Sequence, residues 1–240
     1  EAGIPQAQYN VGLYYRNGWG VKKDITQALK WYTLAAERGD AIAQFNLGVM
    51  HDKGEEIEQN LTKAREWYTL SAQQGFADAA HNLAMIYLKG KGVKSDPEAG
   101  VRWLRIAAEK GNAVAQNDLG FCYEHGNGVN QNKTEALKYY REAAERGYPQ
   151  AKFNLALMYD DGNGVEQNFA KAMKWYEAAA QQGHEMALMN LGYMYYTGRG
   201  MQPDPEKAYE LWMIGVKQGS SKMQKNIDIL CRRYPLVCHQ

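Results

Sequence analysis

The chain has 240 residues, with 28 lysines and arginines against 27 aspartates and glutamates. So balanced a charge supplies no whole-molecule field to draw in nucleic acid or an anionic membrane, and no nucleic-acid partner is expected. No apolar run approaches the length of a membrane span, so no membrane insertion is expected either.

The opening residues, EAGIPQAQYN, carry no initiator methionine and no leader, and read as the start of a mature or trimmed product whose compartment is open. They fall straight into a first helix, helix A. Pro5 suits its first turn, where the missing N–H has no intrahelical partner to lose. Gly18 ends it, a turn through Gly20 follows, and Asp24 stands as N-cap of a second helix, helix B, because its carboxylate accepts from free backbone N–H groups. Gly39 closes helix B as a left-handed residue.

Every one of these marks returns at a spacing of 36 residues. Helix A ends at Gly18, Gly54, Gly90, Gly126, Gly162 and Gly198. The second glycine recurs at Gly20, Gly92, Gly128, Gly164 and Gly200, with Glu56 the exception. The caps are Asp24, Asn60, Asp96, Asn132, Asn168 and Asp204, and the closing glycines are Gly39, Gly75, Gly111, Gly147, Gly183 and Gly219. One copy alone, YEHGNGVNQNKTEALKYY at 123–140, could pass for a phosphate-cradling loop. Six copies argue that the glycines serve the backbone. A fixed period of this length predicts an all-α solenoid of stacked helix pairs. We read units at about 5–40, 41–76, 77–112, 113–148, 149–184 and 185–220, with a capping helix and tail over 221–240, as a single solenoid domain spanning 1–240.

Residues are compared below by repeat position, numbered as in the first unit. In helix B, position 28 holds alanine or Gly100, position 31 holds Trp31, Trp67, Trp103, Tyr139, Trp175 and Leu211, and small pairs such as Ala35-Ala36 follow. Large against small at helical spacing predicts a core stripe at position 31. In helix A, positions 7, 11, 14, 15 and 18 share one side, which is expected to be core, and Cys122 falls in it as a small buried hydrophobe. Position 10 is Asn10, Asn46, Asn82, Asp118, Asn154, Asn190 and Asn226, read as repeated hydrogen bonding between neighbouring turns.

The other side of helix A, positions 6, 9, 13 and 16, changes from unit to unit yet stays largely apolar. A helix apolar all round is buried or bound on both sides. We read part of this stripe as packing against the next helix A, and the rest as an adaptable groove for a protein partner, lined by Tyr9, Leu13, Phe45, Val49, Met85, Phe121, Phe153, Leu157, Tyr193 and Tyr196. Trp19 is either an edge anchor or packs on an upstream unit.

The last segment, SSKMQKNIDILCRRYP, is a seventh helix A near 221–233, with Asp228 where other units have Gly or Ala. Cys231 and Cys238 either form a disulfide after the chain folds back at Pro235, in an oxidising compartment, or are two free thiols. The N-terminal helix has no such polar cap. Either further repeats lie upstream or this face self-associates.

Chemistry is sparse. The histidines, His51, His81, His125, His184 and His239, show no metal-ligand spacing. DDGNG at 160–164 lacks the twelfth-position acid of a calcium loop. None of Ser71, Ser95, Ser220 and Ser221 begins an S-x-x-K motif or lies in G-x-S-x-G. No catalytic residue, cofactor or metal is assigned.

The assembled pattern, A-x-x-N-L-G-x-x-Y-x-x-G-x-G-V followed by [DN]-x3-A-x2-W-Y-x2-A-A-x2-G, resembles the Sel-one-like repeat family, a relative of the tetratricopeptide repeat, over nearly the whole chain. The resemblance implies a right-handed α/α superhelix of six 36-residue helix pairs plus a C-terminal capping helix, with helix A on the concave side. It implies a non-enzymatic scaffold or adaptor, with a hydrolase or carbohydrate-binding member as the alternative. Many bacterial members are periplasmic or secreted, some acting in host interaction or envelope assembly; a cytoplasmic location is the alternative. The disulfide in each helix pair of some bacterial members is missing here. So are the lysines and asparagines of a carboxylate clamp.

Overall fold

A computed structural model describes residues 4–239. Among them the secondary structure is helical throughout, with no strand. The helices are α1 Pro5–Asn17, α2 Ile25–Glu37, α3 Ala41–Lys53, α4 Leu61–Gln73, α5 Ala77–Lys89, α6 Pro97–Glu109, α7 Ala113–His125, α8 Lys133–Glu145, α9 Pro149–Asp161, α10 Phe169–Ala180, α11 Glu185–Thr197, α12 Pro205–Lys217 and α13 Ser221–Arg233. A short 3-10 turn follows at Pro235–His239. The chain divides into two compact units, Glu1–Gln131 with α1–α7 and Asn132–Gln240 with α8–α13.

In the first unit the inner A helices pack on their own helix B and on the helix B before it: α3 touches both α4 and α2, and α5 both α6 and α4. The caps make this possible. Asp24, Asn60 and Asp96 each accept from the backbone N–H three residues on, at 2.9–3.0 Å. Their own backbone N–H groups donate back to the carbonyls of Tyr15, His51 and Tyr87, which closes the turn in each pair. Gln59 and Gln131 donate to the carbonyls of Asp52 and Glu124 at 2.7 Å, relieving the exposed end of helix A.

The paired glycines divide the labour. Gly126 ends α7 in the left-handed region, φ 72°, and its N–H bonds the carbonyl of Cys122. Gly128, φ 71°, lies against the start of α6: a Cβ there would sit 2.3 Å from the carbonyl oxygen of Pro97. The second glycine is therefore a stacking contact between consecutive pairs, as well as a turn residue.

The core stripe of helix B falls one residue later than expected. Position 31 is only half-buried, whereas position 32 (Tyr32, Tyr68 and Leu104 in the first unit; Tyr140, Tyr176 and Trp212 in the second) is at most 2% exposed. The reason is a close approach. A Cβ on Gly12 or Gly48 would lie 2.6 or 2.5 Å from the ring of Tyr32 or Tyr68, so glycine in helix A admits the ring of helix B. Burying such a ring is worth roughly 4–6 kcal/mol of gross transfer free energy.

The second unit repeats this plan in α9–α12. Asn168 and Asp204 cap α10 and α12, and their N–H groups donate to the carbonyls of Tyr159 and Tyr195. It ends on α13, which packs on α12. The 3-10 turn folds back on both, tied by the Cys231–Cys238 disulfide.

Candidate functional site

In the first unit the variable stripe separates into three kinds of position. Position 9 leans inward. The Tyr9 ring stacks on Tyr32 with centroids 5.5 Å apart, and Phe45 lies 6.0 Å from Tyr68 and 5.0 Å from Phe76. Asn46 Nδ2 donates to Tyr9 Oη at 3.2 Å, and His81 Nε2 meets Asp118 Oδ2 at 2.8 Å, so positions 9 and 10 stitch α1 to α3 and α5 to α7. Position 16 is a latch: Arg16 pairs with Glu56 at 3.0 Å and Asp52 with Lys91, each across to the next helix pair. Position 13 is the outermost. Leu13, Val49 and Met85 are half-buried, and Phe121 is 48% exposed, stacked on His125 at 4.2 Å.

In the second unit position 9 again leans inward, further than the groove reading expected. Phe153 is 8% exposed, held between Tyr176 at 5.8 Å and His184 at 4.7 Å. It is a packing residue rather than a surface anchor, because His184, which caps α11 through Nδ1, brings its ring down over it. Leu157 is half-buried and Tyr193 is 52% exposed. Tyr196 is half-buried against Trp212 at 5.8 Å and Tyr234 at 6.3 Å, with the Arg233 guanidinium 5.7 Å over its ring. The latch recurs: Arg199 Nε lies 3.2 Å from Asp160 Oδ1.

The electrostatics are those of a packed scaffold. Burial pushes the Asp160 carboxyl above the ordinary carboxylate value, and Arg199 draws it partly back. Burial likewise raises the phenols of Tyr68 and Tyr176, which take hydrogen bonds from Asn82 and Asn190. Position 10 thus serves the helix-B tyrosine of the preceding pair. The Cys122 thiol is pushed up to about 11 by burial, which leaves it protonated and unreactive at neutral pH. The position-16 carboxylates Asp52 and Asp160, and Asp118 at position 10, are engaged by Lys91, Arg199 and His81 respectively. Among the described residues no three His, Cys, Asp or Glu side chains converge as a metal site, and no helix is long and apolar enough to cross a membrane. What each unit offers is a set of apolar side chains at position 13 beside the polar latches of position 16. The latches escaped the sequence reading, although opposite charges 39 residues apart (Asp52 and Lys91, Asp160 and Arg199) were the signal.

The model of the Sel1 repeat matches residues 5–40, 41–76, 77–112, 113–148, 149–184 and 185–220. A Sel1 repeat protein from Oxalobacter formigenes is 35% identical with TM-score 0.78, over 88% of this chain and 85% of its own. A protective antigen present in uropathogenic Escherichia coli strains, displaying an SLR fold, is 31% identical with TM-score 0.90 over 97% of this chain, which spans half the length of that protein. An immunity protein from Pseudomonas aeruginosa, 23% identical with TM-score 0.53 over 87% of this chain and 81% of its own, shares the fold. Among curated proteins none matches.

Proposed function

Because the chain belongs to the Sel1 repeat family, whose proteins are in general protein-interaction scaffolds, we propose that it is a non-enzymatic scaffold that holds a protein partner on the helix-A face. One observation carries the reading. The framework positions are nearly the same in all six repeats, whereas position 13 reads Leu13, Val49, Met85, Phe121, Leu157 and Tyr193, different almost everywhere and apolar or aromatic throughout. Its most exposed members, Phe121 and Tyr193, are aromatic, the residue type that most often anchors interfaces. A photo-crosslinking residue at 121 or 193 is expected to capture a protein in the native cell that the same residue at Glu66 or Lys174, on the outer side of helix B, does not. Binding of that purified protein should then weaken by about tenfold or more for Phe121→Ala or Tyr193→Ala with the helical content unchanged. Equal capture from both faces, or unaltered binding by both variants, overturns the proposal.

The same proposal places the protein in the periplasm or outside the cell, supported by the Cys231–Cys238 disulfide, since such bonds persist in oxidising compartments. Both cysteines should resist alkylation when the native protein is trapped without reductant; free alkylation of both argues for the cytoplasm. It also includes self-association through the outer side of α1, where Ile4 and Tyr14 are 71% and 50% exposed. Sedimentation equilibrium should show a dimer that Tyr14→Glu dissociates, and a wild-type monomer at high concentration removes this element.

A further inference from the structure

The sixth helix pair departs from the pattern at two places that meet in space. Position 31 of helix B is tryptophan or tyrosine in five pairs and Leu211 in the sixth. Position 8 of helix A is Gln8, Gln44, Ala80, Gln116 or Lys152 in the earlier pairs and Leu188 in the sixth. Between α10 and α12, over α11, the second unit has an open cavity of about 290 Å³, walled by Leu188, Leu191, Leu211 and Ile214, with Glu177 and Lys207 at its rim.

The rest of the chain shows what such a space holds. In the second pair, Trp67 packs against a buried cluster that includes Ala36 and Leu47. Stepping on by whole repeats, those residues become Leu211, Ala180 and Leu191, and all three line the cavity. The space that the Trp67 side chain fills in one pair is empty in the other, and the leucine at 188 keeps its wall apolar where Gln44 would present an amide. For scale, an apolar cavity of about 150 Å³ is enough to take benzene. The rim is polar and ordered: Tyr195, 7% exposed, has Lys207 Nζ 5.1 Å over its ring and its hydroxyl 3.5 Å from Glu177 Oε1. A carboxylate at the mouth is an acceptor for a ring N–H.

The geometry points to a binding site for a neutral aromatic ring of indole size, entering with its N–H toward Glu177 and replacing the tryptophan that the fold itself supplies elsewhere. The site is distinct from the helix-A face proposed above and does not depend on it. The ring could belong to a free small molecule or to a protein side chain, and two probes separate them. Free indole should bind one site per chain by calorimetry and by saturation-transfer NMR. N-acetyltryptophanamide should bind too if the source is a side chain; if indole binds and the amide does not, the ligand is a free small molecule.

Two variants locate the site with residues the chain already uses at these positions. Leu211→Trp should refill the cavity, keep or raise the melting temperature and abolish indole binding. Leu188→Gln should leave the fold intact, since Gln44 at the same position donates to the Ala36 carbonyl, and weaken indole binding by about tenfold, because it replaces an apolar wall with a polar amide. No indole binding to the wild-type chain, or binding that survives both variants in folded protein, overturns the inference.

Discussion

The first helix and the last are built on one template and end differently. In α13, positions 7, 11 and 14 (Met223, Ile227 and Leu230) are 0–5% exposed against α12, and the helix turns Gln224, Lys225 and Asp228 to solvent. In α1 the same positions 7 and 14 are Ala7 and Tyr14, both exposed, with Trp19 at 58% set edge-on to Tyr14 at 6.4 Å. Position 14 elsewhere (Met50, Ile86, Cys122, Met158 and Met194) is at most 3% exposed. Burial at these positions is thus conferred by the helix B of the preceding pair and not by the residue. An amino acid that reads as core by its column is core only where that neighbour stands. The last pair also shows size traded across the contact: Met223 replaces the usual alanine of position 7, and Gly215 answers it, since a Cβ on Gly215 would fall on the Met223 sulfur.

The sharpest way to break this comparison is to truncate the same position at both ends. Leu230→Ala removes a side chain that is 0% exposed and should destabilise the α12–α13 end by about 2–4 kcal/mol, the usual cost of a leucine-sized core deletion. Tyr14→Ala should change stability by under about 1 kcal/mol. Urea unfolding followed by circular dichroism measures both, and equal losses would mean that burial at position 14 is not set by the neighbouring helix B.

A smaller contrast lies in the second glycine of the turn. Gly128 and Gly20 share a positive φ, 71° and 67°, yet a Cβ on Gly128 would strike the Pro97 backbone whereas one on Gly20 meets nothing within 4 Å. Gly20→Ala should therefore cost only the backbone strain, about 1 kcal/mol. Gly128→Ala should cost about 2–3 kcal/mol, because the colliding atoms are backbone and cannot swing aside. The difference between the two melting curves isolates the stacking contact, and a Gly128→Ala loss no larger than that of Gly20→Ala would remove it. Neither change is expected to affect nucleotide binding.

The helices and their ends were legible because their signals are local. A short polar residue before each helix B and a glycine after each helix of the six pairs act within about one turn, and all six side-chain caps and all six closing glycines appear where they were expected. What was illegible depends on rotation or on distance. Positions 31 and 32 are both large and apolar, and a turn of about 100° decides which is core; only the glycine at position 12 facing the ring could have told them apart. Phe153 looked like its neighbours Leu157 and Tyr193, but its burial comes from His184, 31 residues on; Phe45 meets Phe76 in the same way, and the pattern hides the contact because that cap varies through Ile4, Asp40, Asn112, Tyr148 and Ser220 in the other repeats.

His184 also supplies the last and smallest test, since the helices at the two ends, α1 and α13, start without a side-chain cap and α11 starts with an imidazole. Its Nδ1 accepts from the Ala187 N–H at 3.2 Å, so the ring is neutral with its proton on Nε2, which faces Gln150 Oε1 at 3.1 Å. Burial lowers its pKa below the ordinary value, and a proton on Nδ1 would oppose the N–H groups of the first turn. The unfolded chain then takes up this proton more readily than the folded one. Stability should be unaffected above about pH 7.5 and fall as the pH drops through about 6.5, the unfolded value, toward the lower folded one. His51, also lowered by burial and by Lys63, pulls the same way, so the wild-type slope is shared and only a difference is diagnostic. His184→Asn keeps a capping oxygen and has no such titration. The gap between wild type and variant in urea midpoint should shift in the variant's favour by up to about 1 kcal/mol between pH 7.5 and 5.5; a gap that does not move with pH would show that the imidazole is not held neutral at the start of α11.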